Sequence, residues 1–172
     1  PISIDTSTEI VSLIIDVCNN KNYSDKSRNF IVKPHPTRTK AEILQFFLTP
    51  LPENIIFTTE KSFYKLLDNT NLLITEASST CLEAIACGVP VVLIRREHGL
   101  YNNPLPKSID KCLFKECSTA LELTNAVNYY KQLNEKQFQE IQRHSEKVRK
   151  NYFEPVTIKG TNRLLDIEQG YN

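Results

Sequence analysis

Residues 71–94, NLLITEASSTCLEAIACGVPVVLI, read as strand, tight turn, helix, glycine stop and strand. Leu72, Leu73 and Ile74 form a short apolar run, the pattern of a strand covered on both faces. Thr75 to Ser79 is a polar break. Ser78, Ser79 and Thr80 are helix-capping residues, and Glu83 falls at the reach of a capping box behind them. Leu82, Ile85 and Ala86 then follow with helical spacing. Gly88 has the character of the residue just past a helix end, and Pro90 prevents continuation. Val91 to Ile94 is a second buried strand. The unit is strand–helix–strand, with hydroxyls and a carboxylate at the carboxyl end of its first strand. Open parallel sheets bind ligands at that edge, where backbone N–H groups favour phosphate.

The rest of the chain repeats the alternation. A helix is expected from about Thr8 to Asn20, capped by Asp5, Thr6 or Ser7, with Ile10, Leu13, Ile14 and Val17 as its buried stripe. Phe30 to Lys33 is a strand that runs into Pro34-His35-Pro36, a rigid exit because each proline holds φ and restrains its predecessor. Thr39 caps a helix carrying Ile43, Leu44, Phe47 and Leu48. Asn54 to Thr58 is a strand, and Ser62 to Asp68 a short helix. Beyond the central unit, Cys112 to Lys115 is expected as a terminal strand, and Ser118 or Thr119 caps the next helix. Glu135 to Tyr152 is a long charged helix with Phe138, Ile141 and Val148 on one face, and Thr157 to Ile167 is read as a last helix. Alternating strands and helices predict an α/β fold: a Rossmann-like parallel sheet with helices on both faces, followed by C-terminal helices.

At 172 residues the chain suits a single domain spanning 1–172. A formal net charge of +1 gives no electrostatic case for nucleic acid. No apolar run approaches the roughly 20 residues that span a bilayer, so membrane association is at most peripheral. The five cysteines form no CxxC pair, and all but Cys117 lie in apolar stretches, which predicts reduced core thiols in a cytoplasmic protein. The three histidines are scattered without ligand spacing, so no metal site is expected, and His144 reads as helix surface. A start at Pro1 and the absence of methionine predict a fragment of a larger protein.

Three constellations follow predicted strands: Lys33-Pro34-His35-Pro36, then Glu76 with Ser78, Ser79, Thr80 and Glu83, then Arg95-Arg96 with His98. Hydroxyls and helix N–H groups accept a phosphate, His, Lys or Arg offset its charge, and a carboxylate at Glu76 or Glu83 accepts from ribose hydroxyls. Each residue also has a plainer reading: turn residue, helix cap or solvated strand end. No G-x-S-x-G elbow, Walker loop or G-x-G-x-x-G is present, and with four glycines the cradle is not a glycine-rich loop.

Together these motifs resemble a known family. The strand ending in Lys33-Pro34-His35-Pro36, then Ile74-Thr75-Glu76-Ala77-Ser78-Ser79-Thr80 and Gly88-Val89-Pro90, is similar to the C-terminal, donor-binding half of GT-B glycosyltransferases. The His-Pro element with paired hydroxyls looks like that of bacterial sialyltransferases and capsule Kdo transferases; glycerophosphotransferases that use CDP-glycerol carry a related element. The resemblance implies a nucleotide-sugar donor, a CMP-sugar such as CMP-Kdo being favoured, and no cofactor. It implies transfer to a glycan or lipid-linked acceptor in capsule or lipopolysaccharide synthesis, in the cytoplasm or at the inner face of the bacterial membrane. By it, His35, Ser78, Ser79 and Thr80 contact the donor phosphate, and Glu76 or Glu83 the nucleoside. The catalytic base is not assigned, since it lies in an N-terminal domain outside this sequence in such enzymes. Glu76 and Glu83 are seven residues apart, not the eight of the retaining pattern. The competing readings are a nucleotide-sugar 2-epimerase-like enzyme and a non-catalytic nucleotide-binding or interaction domain.

Overall fold

The computed structural model describes residues 4–20, 29–35, 37–47, 50–60, 62–95 and 102–153, with side chains from Thr8 onward. In chain order the elements are α1 (Ile4–Asn19), β1 (Phe30–Val32), α2 (Lys40–Leu44), β2 (Ile55–Phe57), α3 (Phe63–Leu67) and β3 (Leu73–Thr75). They continue as α4 (Thr80–Ala86), β4 (Val91–Ile94), β5 (Phe114–Cys117), α5 (Ala120–Lys131) and α6 (Glu135–Tyr152). The architecture is α/β and Rossmann-like, with parallel strands flanked by helices and a C-terminal pair of helices. The expected helix at Thr157–Ile167 lies outside the described residues.

Every strand pairing is parallel, but the strands divide into two sheets, β1-β2 and β3-β4-β5. Ile31 stands opposite Ile56 in the first, and Thr75 opposite Leu93 in the second. β4 is buried along its whole length, because among the described strands it alone has neighbours on both sides. β3 is only half buried. The sequence pattern had implied a strand covered on both faces; in the structure β3 is the edge of its sheet.

One contiguous apolar core joins both sheets. Val91, Val92 and Leu93 of β4 are sealed in it with Ile85 of α4, Leu113 and Leu123 of α5. Burial of such side chains is worth about 1.5–3 kcal/mol each. α4 packs on α6, and α1 packs on α5 with a smaller contact to α2. Val11, Ile14 and Val17 form the buried stripe of α1. Thr124 fastens the end of that pairing: its hydroxyl donates to the Ala120 carbonyl at 2.7 Å and accepts from the Asn20 amide at 3.5 Å.

Four local expectations need correction. α1 begins at Ile4, so Asp5, Thr6 and Ser7 lie within the helix rather than capping it. β5 begins two residues later than the apolar run suggested. The Asp110 side chain accepts from Cys112 N at 2.9 Å and its carbonyl accepts from Leu113 N at 3.1 Å, which bends 110–113 into a turn. Cys87 is exposed rather than a core thiol, because it ends α4 at the surface, whereas Cys117 is a buried strand residue as expected. Phe138 is 50% exposed, although Ile141 and Val148 of the same face are buried. No described helix is long and apolar enough to cross a membrane.

Candidate functional site

β1 ends at Val32 and delivers Lys33 and His35, both exposed, into the Pro34 turn. Pro36 lies outside the described residues. The turn is closed by Arg38 N donating to the His35 carbonyl at 2.8 Å. His35 Nδ1 accepts from the Thr37 backbone N–H at 3.3 Å and lies 2.7 Å from the Thr37 hydroxyl. A backbone donor aimed at Nδ1 makes that nitrogen the acceptor, so the neutral ring carries its proton on Nε2. The Thr37 hydroxyl is then the second donor to Nδ1. The consequence is an exposed imidazole held in one orientation, with Nε2–H as its remaining donor. Thr37 had no part in the sequence reading. Its signal was its place two residues after His35, the spacing at which hydroxyls close local turns.

The second constellation follows β3. Ser78 is the working cap of α4: Thr80 N donates to its Oγ at 3.3 Å, and its hydroxyl meets the Thr80 hydroxyl at 2.8 Å. The Cys81 and Leu82 amides donate to the Ser78 and Ser79 carbonyls, so the helix starts with a tight turn. Ser79 is exposed, and its side chain makes no cap hydrogen bond. The three hydroxyls therefore divide: Ser78 and Thr80 satisfy each other, and Ser79 does neither job. Glu76 is half buried, and its carbonyl accepts from the Cys81 thiol at 3.8 Å.

Glu83 does not close a capping box with these residues. Its carboxylate accepts from the Tyr64 hydroxyl at 2.7 Å, binding α4 to α3. That hydrogen bond and the carboxylate charge push the Tyr64 phenol above its ordinary pKa. Tyr64 is the residue that a reading of the sequence missed here: 19 positions separate the pair, and no local pattern announces it.

Arg95 follows β4 directly, is exposed, and donates its backbone N–H to the Cys117 carbonyl at 2.7 Å. Its side-chain charge is one of several influences that hold Glu122 low; the larger ones are hydrogen bonds from Ser118. Arg96 and His98 lie outside the described residues.

The register of β3 on β4 places residues 76–79 and Arg95 at the same carboxyl-terminal edge of the second sheet. Lys33 and His35 occupy the corresponding end of the first sheet. The structure thus assembles two groups, each at the carboxyl end of parallel strands, on separate sheets. A cavity of about 620 Å³ lies elsewhere, where Asn71 and Pro90 lead into β3 and β4, between Leu67, Tyr130, Phe138 and Ile141. None of the candidate residues lines it. Compared with protein-family models, curated proteins and solved structures, the chain finds no match.

Proposed function

We propose that this chain binds a nucleotide-sugar and serves as the donor half of a glycosyltransferase for bacterial surface glycan, with a CMP-sugar such as CMP-Kdo as the favoured donor. The observation that carries the reading is the His35 turn. Thr37 fixes the imidazole so that Nε2–H is free to donate at the carboxyl end of a parallel strand. The Ser79 hydroxyl and the Arg95 guanidinium, on the second sheet, supply a further donor and a positive charge.

The reaction needs the bond between the anomeric carbon and the donor phosphate to break, while an acceptor oxygen bonds to that carbon. The phosphate leaves with the electron pair as an anion. Preorganised donors aimed at the oxygen where that charge develops lower the barrier. His35 Nε2–H, the Ser79 hydroxyl and Arg95 act on that oxygen, and the reading calls for no metal there. The acceptor and the base that takes its proton belong to a partner domain.

Calorimetric titration with CMP, UDP, GDP and ADP tests the site and names the base. CMP is expected to bind tightest. His35→Ala and Ser79→Ala should each weaken it about tenfold or more, since a hydrogen bond to a charged group contributes about 1.5–3 kcal/mol. Both side chains are exposed, so the melting temperature of the free variants should stay unchanged. Wild-type affinity in both variants would show that the donor site is elsewhere.

A further inference from the structure

Asp110, Cys112 and His144 bring a carboxylate oxygen, a thiol sulfur and an imidazole nitrogen within 4.8 Å of one another. They come from two elements. Asp110 and Cys112 belong to the turn before β5, and His144 to the third turn of α6. The site is at the amino-terminal end of β5, apart from the edge that carries Ser78, Ser79 and Arg95, and it is independent of the nucleotide reading.

The geometry is held by contacts that leave the three donor atoms facing one another. Asp110 spends Oδ1 on the Cys112 amide at 2.9 Å and turns Oδ2 to His144 Nδ1 at 3.4 Å. The Cys112 carbonyl is fixed from behind by the hydroxyl of buried Tyr130 at 3.2 Å. The His144 side chain is only 17% exposed, and that of Asp110 44%, so one side of the cluster opens to solvent. The 3.4 Å separation is longer than the roughly 2.9 Å of a good N–H···O bond. It matches the edge of a tetrahedron with bonds of about 2.0–2.1 Å, the lengths for nitrogen and oxygen on zinc.

We propose that Asp110, Cys112 and His144 form a three-ligand site for a divalent cation of zinc type, with a fourth position open to water. A thiolate, an imidazole and a carboxylate are the donor types that zinc accepts, while magnesium and calcium demand oxygen. Burial above all, then the hydrogen bond to Asp110 and the charges of Asp110 and Glu140, push the Cys112 thiol up to about 12. A bound divalent ion reverses that balance and deprotonates the thiol outright, the proton passing to solvent. One neighbour competes. Arg143 Nη2 lies 3.2 Å from His144 Nε2 and can only donate, which favours the proton on Nδ1 in the free protein. Metal at Nδ1 moves that proton to Nε2, and exposed Arg143 must swing away.

The test is titration of the full chain with cobalt(II), followed by displacement with zinc. One equivalent should give intense visible bands of four-coordinate cobalt and a near-ultraviolet sulfur-to-cobalt charge-transfer band. Cys112→Ser should abolish the charge-transfer band. His144→Gln should weaken binding by at least about tenfold, the effect of losing even an outer partner of a metal ligand. Arg143→Gln should bind more tightly. Asp110→Asn keeps an oxygen for the Cys112 amide, so it should fold normally and bind weakly. Cys87→Ser controls for the exposed thiol and should leave every band in place. The proposal is overturned if one equivalent of cobalt produces no sulfur band, or if the band survives in Cys112→Ser and disappears in Cys87→Ser.

Discussion

Gly88 has φ +87°, a conformation that costs an L-residue about 1–2 kcal/mol. A Cβ there would also sit 2.8 Å from the Gln142 side-chain oxygen, whose amide donates to the Gly88 carbonyl at 3.2 Å. Gly88→Ala should therefore lower unfolding free energy by about 1–2 kcal/mol in urea titration. A change below the error of the measurement would show that this backbone can relax. Ser145 argues in the opposite direction. Its hydroxyl is buried in α6 without a hydrogen-bond partner. Ser145→Ala removes an unsatisfied group and improves helix propensity, so it should stabilise the protein by roughly 0.5–2 kcal/mol. The two differ in how far the sequence reveals them. Gly88 was legible because a glycine two residues before a proline, after a helical run, has few other roles. Ser145 was not, since nothing in the polar text of α6 tells that its single serine faces inward.

Helix caps were the elements most open to reading, because a cap is decided within four residues. Thr39 with Glu42 and Thr119 with Glu122 form full capping boxes, and Gly88 ends α4. Asn134 is the cap of α6, closed by Gln137. The reading failed where a contact reaches between elements. Glu83 had a box partner in the sequence and chose Tyr64 of α3 instead. His35 was singled out, but its tautomer depends on where Thr37 lands, and the Asp110 turn that delays β5 was hidden by an apolar run. The α5 cap gives two tests. Thr119→Ala should cost about 1 kcal/mol, the usual worth of such a cap. The Glu122 carboxyl is held below the ordinary glutamate value, first by the Ser118 backbone N–H and then by its hydroxyl. A carboxylate whose folded pKa is depressed adds stability above the unfolded value of about 4.3. That contribution is lost as pH falls through the lower folded value. Wild type should thus exceed Glu122→Gln in stability at neutral pH, and the gap should close on acidification. A gap that persists at acid pH would mean that the charge is not what the Ser118 donors recognise.

At the scale of the molecule, the alternation of elements predicted parallel strands but not their division into two sheets. Which strands pair is a property of distant parts of the chain. Local apolar runs make β1 and β3 look alike, and neither run records its neighbours. Parallel ladders alternate: the peptide groups of successive residues point to opposite sides of a strand. Phe30 N donates to Asn54 O, and Thr58 N donates to Val32 O, so Phe30 and Val32 face β2 and Ile31 faces away from it. Leu73 N donates to Pro90 O, so Ile74 faces away from β4. Among the described residues each sheet therefore ends in a strand with an outward amide, at β1 and at β3. Ile31 of β1 is 52% exposed, and Ile74 of β3 is partly buried; such edges are ones that β-strands readily extend. Hydrogen exchange on the 172-residue chain checks the assignment. The Ile31 and Ile74 amides should exchange orders of magnitude faster than those of Val92 and Leu93, which are bonded within the buried centre of the second sheet. Equal protection at all four positions would mean that β1 and β3 are paired in solution, and that the two sheets act as one.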